Sequence, residues 1–255
     1  MERSNQCGIN GIGYKIELNF FRSVMIITID GPSSSGKSSA AKLLAETLGY
    51  YYYCSGLLYR ACAYILKNHA DYSKSKLQNP NSSDVALYCN YERLRYGYDL
   101  NHGVRILFDG IEITAYLKTP EMDECASIIS VVDSVRIEIG IIQRHLAEQQ
   151  RTIVADGRDM GSVAFPNAAF KFFLTASLEE RTRRALADST RHSAHDKQTA
   201  QQEAQAIMTR DQRDTVRANA PLVMPEDAIA IDSTDMTLQQ VVDTMMAYIK
   251  AKKAA

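Results

Sequence analysis

The chain has 255 residues, and its 29 Lys+Arg against 30 Asp+Glu leave a formal net charge of −1 at pH 7. With 45% hydrophobic and 23% charged residues it reads as a globular chain able to bury a sizeable core. Its near-neutral charge argues against an obligate nucleic-acid binder or a polybasic membrane binder. No apolar run approaches the roughly 20 residues that span a bilayer. The five cysteines are scattered and form no Cys-x-x-Cys pair, so neither a zinc site nor a disulfide framework is encoded. With no secretory signal at the N-terminus, a reducing cytoplasm is the expected setting.

Residues 1–24 mix Gly, Asn, Ser and charge without a sustained period and read as an N-terminal extension, probing no core; the fold is expected over 25–255. Residues 24–29 are a continuous apolar, β-branched run, as in a strand buried on both faces. The next helix places Ala41, Leu44, Ala45 and Leu48 on one face and stops at Gly49. Residues 50–53, 152–155, 170–174 and 228–231 read as further short buried strands. Ser177 with Glu180, and Thr237 with Gln240, have capping-box spacing at helix starts. The last helix repeats apolar residues at Leu238, Val241, Val242, Met245 and Ile249. Strands alternating with helices predict an α/β fold with a parallel sheet of five strands flanked by helices.

Residues 71–119 break the alternation. The text is polar, with Asn79-Pro80-Asn81 and several tyrosines, until Val104, Ile106 and Phe108 alternate, Asp109-Gly110 supplies a two-residue turn, and Ile111 and Ile113 continue. Asp-Gly suits the positive φ angles of a type I′ turn, so a β-hairpin within an inserted region is expected. Thr119-Pro120 then starts a helix, and Val135, Ile139, Ile142 and Leu146 mark another.

Gly31-Pro32-Ser33-Ser34-Ser35-Gly36-Lys37-Ser38 fits G-x-x-x-x-G-K-[ST] at every required position, after a buried strand and before an amphipathic helix. Such a loop wraps backbone N–H groups around phosphate oxygens, which excludes Cβ atoms at Gly31 and Gly36, while the helix start aims its positive dipole end at the same anion. Lys37 is placed for the β- and γ-phosphates and the Ser38 hydroxyl for Mg²⁺. The loop predicts nucleoside triphosphate binding but is shared by motors, switches and kinases. No Asn-Lys-x-Asp guanine-specificity segment occurs, which lowers the switch reading.

The strand 152–155 delivers Asp156-Gly157-Arg158-Asp159 at its C-terminal end, where open α/β sheets bind ligands and where an acid can assist a metal. Arg181, Arg183, Arg184 and Arg191, then Arg210, Arg213 and Arg217, give seven arginines against one lysine over residues 181–217. Arg210, Asp214 and Arg217 share one face of a helix that ends before Pro221. A solvated face with i,i+4 pairs is the bland reading; the arginine bias favours planar, bidentate phosphate recognition. Phosphoryl transfer between two nucleotides fits this inventory. An acceptor phosphate is already anionic, so charge neutralisation, alignment and water exclusion suffice without a general base. The histidines (His69, His102, His145, His192, His195) lie mostly in polar contexts and receive no catalytic role.

These segments together resemble the bacterial cytidylate kinase family, which phosphorylates CMP and dCMP with ATP. The resemblance runs from about Met25 to the C-terminal helix. It is carried by Ile27-Thr-Ile-Asp-Gly-Pro-Ser, Ser55-Gly-x-x-Tyr59-Arg60, Ile153-Val-Ala-Asp156-Gly-Arg158-Asp159-Met160-Gly, Val163-Ala-Phe-Pro166 and Arg210-Asp-x-Arg-Asp214-x-x-Arg217, followed by Ala220-Pro-Leu. It implies a P-loop kinase with an inserted monophosphate-binding region over about 60–150 and an arginine-bearing lid over about 181–200. It further implies that Ser127, Arg136 and Asp159 read cytosine, and that Arg60, Arg158 and Arg210 hold the CMP phosphate beside Ser55. Asp214 would contact the sugar, and Lys37, Arg158, Arg210 and Arg217 would be the catalytic set. ATP would rest on residues 31–39, Gly31 through Ser39, with Arg181 and Arg184 from the lid.

Two departures stand out. The family usually carries Asp where Cys54 stands, so a carboxylate is lost near the phosphates. Its P-loop commonly ends Gly-Lys-Gly-Thr, whereas Gly36-Lys37-Ser38-Ser39 offers two hydroxyls for Mg²⁺, with Ser38 at the motif position. Rival readings are a P-loop kinase for UMP or a nucleoside, a nucleic-acid-associated ATPase, and a non-catalytic nucleotide sensor. The expected partners are ATP, CMP and dCMP, without nucleic acid or membrane, for a monomer.

Overall fold

A computed structural model describes residues 25–188 and 199–254. The expected extension 1–24, with Cys7, and the lid stretch carrying Arg191, His192 and His195 lie outside the described residues. In chain order the elements are β1 (Met25–Asp30), α1 (Lys37–Leu48), β2 (Tyr51–Cys54), α2 (Ser55–His69), α3 (Ser82–Tyr88), β3 (Leu94–Asp99), β4 (Gly103–Phe108), β5 (Ile111–Glu112), α4 (Pro120–Ile129) and α5 (Asp133–Gln149). There follow β6 (Thr152–Gly157), β7 (Phe170–Thr175), α6 (Leu178–Ala187), α7 (Ala200–Val216), β8 (Ile229–Asp232) and α8 (Leu238–Ala254).

The five expected core strands form one parallel sheet in the order β2-β6-β1-β7-β8. Ile27 and Ile29 of the central strand are fully buried, as a strand covered on both faces requires. The chain leaves β1 between two neighbours that come much later in sequence. That switch in strand order opens the crevice at the carboxyl ends, where ligands bind in such sheets. The helices flank this sheet, and no helix among the described residues is long and apolar enough to cross a membrane.

Most local expectations hold. Gly49 caps α1 at φ 66° with its N–H on Ala45 and Glu46, and Thr119 caps α4 with Pro120 in the first turn. Asp109 and Gly110 take φ 49° and 80°, closing the predicted hairpin between β4 and β5. Thr237 and Gln240 form both halves of their box at 2.8 and 3.3 Å. The Ser177 box is only half formed. Ser177 Oγ accepts from Glu180 N at 3.2 Å, but the Glu180 carboxylate turns to Arg183 and Arg184, because a guanidinium is the stronger partner for a carboxylate. Leu238 is 44% exposed, so the buried stripe of α8 begins at Val241.

The polar-looking stretch after α2 holds more structure than expected. Leu94–Asp99 pairs antiparallel with β4, making the hairpin the outer part of a three-stranded sheet. This sheet leans tyrosines on the edge strand β2: Tyr96 and Tyr98 contact Tyr51, Tyr52 and Tyr53 at ring-centroid distances of 5.2–6.2 Å. The Tyr96 hydroxyl accepts from Cys54 N at 3.0 Å and donates to Tyr52 O at 3.3 Å, so it satisfies an edge that would otherwise seek another strand.

Candidate active site

The loop leaving β1 is shaped by steric necessity. A Cβ on Gly31, at φ 152°, would stand 2.1 Å from the Leu174 carbonyl oxygen, so β7 passes too close for any other residue. Gly36 takes φ 88° as α1 begins. Between them, Pro32 O accepts from Lys37 Nζ at 2.9 Å, so the loop curls around its own lysine. Lys37 is 6% exposed. Burial, aided by repulsion from Arg158 and against the pull of Asp156, lowers its ammonium to about 7.

Side chains from distant segments hold this loop. Ser33 N donates to Asp211 Oδ1 at 2.7 Å, and Ser33 O accepts from Arg181 Nη1 at 3.1 Å, with Arg181 also paired to Asp211. Arg184 Nη1 donates to Ser35 O at 3.1 Å and to Ser233 Oγ at 2.9 Å, and its Nη2 donates to Ser233 O at 2.6 Å. Arg181 and Arg184 thus hold the P-loop backbone through carbonyls. Arg184 lines the cleft and Arg181 reaches the loop without lining it.

The β6 end supplies the second group. Asp156 is 2% exposed. Its Oδ1 accepts from the Tyr52 hydroxyl at 2.8 Å and its Oδ2 from Ser38 Oγ at 2.6 Å. Of the two candidate hydroxyls it is therefore Ser38, not Ser39, that meets the acid. Ser55 Oγ donates to Asp156 O at 3.0 Å. A hard divalent cation takes oxygen ligands, and Mg²⁺ is commonly held by one or two protein oxygens plus substrate phosphates. The Ser38 and Asp156 oxygens fit that demand.

Arg158 spans the site, with Nε on Asp214 Oδ2 at 2.8 Å and Nη2 on Ser33 Oγ at 3.1 Å. Asp159, 3% exposed, pairs with Arg136 and faces Arg217 Nη2 at 3.5 Å. Arg217, which burial pulls below its ordinary pKa against the pull of Asp159, also donates to Ala220 O at 2.7 Å. Ser127 Oγ accepts from Arg213 Nη1 at 2.7 Å. A π-helical turn, Met160–Ala164, follows Asp159. Asp30 anchors it, accepting from Met160 N at 2.8 Å and Gly161 N at 2.7 Å. Burial raises Asp30 to about 6, although those two N–H donors oppose the rise.

These groups surround one cleft of about 390 Å³. Among the expected residues, Ser33, Ser34, Gly36, Lys37, Ser38, Ser39, Ser55, Arg60, Ser127, Arg158, Asp159, Arg184, Arg210, Asp214 and Arg217 line it. Gly31, Pro32 and Ser35 support the loop from within, and Arg136 acts on the wall through Asp159. Cys54 also lines the cleft; burial first, then Asp156, push its thiol up to about 12, so it is neutral.

Several participants escaped the sequence reading. Asp211 lies inside the Arg210-to-Arg217 motif, where it was named without a role. Asp30 lay just past the predicted strand, inside the motif segment but without a role. Asp123, from α4, divides its carboxylate between Arg60 Nη2 at 2.5 Å and Arg210 Nη1 at 3.3 Å, and carried no motif at all.

A family model described as cytidylate kinase matches residues 27–251. The cytidylate kinase of Pseudomonas aeruginosa is 39% identical over 227 residues, covering 89% of this chain and 95% of its own length. That of Pseudomonas fluorescens is 37% identical over 232 residues, 90% and 97% of the two lengths. That of a Marinomonas species is 36% identical over 231 residues, 87% and 94%.

Proposed function

The chain belongs to the cytidylate kinase family, and from that premise we propose that it transfers the γ-phosphoryl group of ATP to CMP and dCMP, giving CDP and dCDP with ADP. The observation that carries the reading is the meeting, in one cleft, of the Lys37 loop with the arginines and the Asp159 carboxylate expected on the acceptor side.

ATP lies along the P-loop, its phosphates against the backbone N–H groups and Lys37, which regains its full charge as the polyanion arrives. The CMP phosphate is held by Arg60, Arg158 and Arg210 beside Ser55. One of its oxygens attacks the γ-phosphorus while the bond to the β–γ bridging oxygen breaks, and ADP leaves. No proton has to be removed from the nucleophile, so positioning and charge neutralisation supply the catalysis. Arg217, paired with Asp159 and Asp214, joins the base-reading carboxylate to Arg158 through Asp214. Ser38 and Asp156 are the residues that would hold Mg²⁺, which when bound would supply neutralisation of the phosphate charge.

Base choice follows from donor and acceptor bookkeeping at Asp159. Its carboxylate accepts from the exocyclic amine of cytosine, while Arg136 and Ser127 donate to ring acceptors. Uracil would set a carbonyl against that carboxylate, at a cost of about 1–3 kcal/mol for the unmade bond. α4 and α5, which carry Ser127 and Arg136, belong to the monophosphate-binding region over about 60–150, and α6 carries the lid arginines Arg181 and Arg184.

ADP formation from Mg²⁺ and ATP, measured with CMP, dCMP, UMP, AMP and dTMP as acceptors, tests the whole reading. The expected result is a rate confined largely to CMP and dCMP, with one new diphosphate per ADP. Equal rates for all acceptors, or ADP formation that ignores the acceptor, would overturn it.

A further inference from the structure

One carboxylate of the cleft has no role in base reading or metal holding. Asp123, in the first turn of α4, is 4% exposed and lines the cleft. Its Oδ1 takes Arg60 Nη2 at 2.5 Å and its Oδ2 faces Arg210 Nη1 at 3.3 Å. One side chain therefore ties α2, α4 and α7 together at the place where two guanidiniums converge.

The geometry differs from that of the surface pair Arg93–Asp109. Asp109 receives Arg93 in a two-nitrogen fork at 2.8 and 2.5 Å. Such a fork satisfies a single arginine. Asp123 instead divides its oxygens between two arginines, which on their own would repel and turn apart. Against the pull of burial, Asp123 also holds the Arg60 guanidinium above its ordinary pKa.

The end of β2 itself carries no ionised side chain. Cys54 ends β2 and lines the same cleft with a neutral thiol. The nearby Asp156 carboxylate is engaged by Ser38 and Tyr52.

We propose that Asp123 is a positioning residue for the acceptor phosphate, converging Arg60 and Arg210 and supplying from α4 the negative charge that the end of β2 does not. The proposal rests on the reading that these two arginines hold that phosphate. Asp123 touches neither substrate nor the reacting atoms in this role; it acts through the two guanidiniums.

The test is Asp123→Asn in the full chain, with the KM for CMP and the KM for ATP determined separately and a thermal melt alongside. The KM for CMP should rise at least tenfold while the KM for ATP stays within twofold. Adding Cys54→Asp to that variant should recover much of the CMP affinity, because it returns a carboxylate beside Arg60 from the opposite wall. A purely structural role would raise both KM values together with a lowered melting temperature, and no charge at position 54 would restore one of them. An unchanged KM for CMP, parallel changes in both constants, or no recovery in the double variant would overturn the proposal. Should Asp123→Asn fail to fold, Asp123→Glu carries the test: the charge is kept but displaced by one methylene, and the KM for CMP should rise a few-fold with that for ATP unchanged. An unchanged KM for CMP in that variant would again overturn it. A wild-type protein that phosphorylates no CMP would overturn the functional reading itself, before any variant is compared.

Discussion

Around the P-loop, the groups proposed to meet a phosphate come from residues 31–39, and most of them are backbone, held in place by carbonyl contacts from Arg181 and Arg184 and an amide contact to Asp211. At the opposite end of the cleft the wall is made of side chains from α2, α4, α5, β6 and α7, arranged as two ionic networks. One runs Arg136, Asp159, Arg217, Asp214 and Arg158; the other runs Arg60, Asp123 and Arg210. A backbone cradle reads only that its ligand is a phosphate. A wall of paired charges reads the base as well, since each pairing fixes which atoms donate and which accept. Substitutions on the two sides should therefore leave different footprints: loss for all acceptors alike on the P-loop side, and loss of choice among acceptors on the other.

Lys37→Met offers the largest effect. Removing the one P-loop cation should lower the rate by about 10³-fold for CMP, dCMP and any residual UMP activity in equal proportion. Steady-state rates on the three acceptors check it, and a loss confined to one of them would break the comparison.

Asp159→Asn is the matching change on the acceptor wall. The amide cannot accept from cytosine as a carboxylate does, and it leaves Arg136 and Arg217 without a buried counter-charge. The loss of a charge-assisted hydrogen bond of about 1.5–3 kcal/mol predicts a fall of about 10- to 150-fold in kcat/KM for CMP. For UMP the asparagine can donate to the carbonyl, so the CMP-to-UMP ratio should collapse. A ratio equal to that of the wild type would remove Asp159 from base reading.

The same contrast explains what could be read without a structure. The P-loop is contiguous, and its glycines and lysine are fixed by local sterics, so eight residues announced it. The five core strands were legible because burial on both faces demands an uninterrupted apolar run. β3 was not, since its inward positions are Leu94 and Tyr96, with Tyr98 half-buried, and tyrosine serves equally in a loop. Its contact with Tyr51, Tyr52 and Tyr53 is tertiary and leaves no trace in spacing. On the acceptor wall, Arg158, Asp159, Arg210, Asp214 and Arg217 stood out by their place at a strand end and by the arginine bias, Arg60, Ser127 and Arg136 only by resemblance, and Asp123 by nothing. An acid in the first turn of a helix is ordinary for dipole reasons, and no local pattern tells that case from a carboxylate that gathers two arginines.

Arg184→Ala should be milder and should act through the loop. The variant removes donors to Ser35 O and Ser233 O. Leaving such carbonyls short costs about 1–3 kcal/mol, or about 2–10 °C in melting temperature for a chain of this size. The KM for ATP should rise several-fold with the acceptor ratio unchanged. A change in acceptor choice instead would mean that α6 belongs to the other wall.

The smallest expected signal is a proton. In the empty protein, burial and Arg158 lower Lys37 from 10.5 to about 7. At pH 8 the amine is therefore mostly neutral. A bound triphosphate sets several negative oxygens beside it and drives it back to the ammonium form. Binding of ATP with Mg²⁺ at pH 8 should then take up close to one proton, at pH 6 almost none. Titration calorimetry in two buffers of different ionisation enthalpy, at the same pH, reads the number directly. Lys37→Met should show no uptake. The folding side has a defined sign as well. Between about 7 and 10.5 the unfolded chain binds the proton that the folded chain has released, so the contribution of Lys37 to the stability of the empty protein rises with pH through that window. CMP alone should evoke little uptake, since Lys37 belongs to the P-loop wall. Equal uptake from CMP and from ATP would mean that the two walls share one field, and the division of labour drawn above would fail at its electrostatic root.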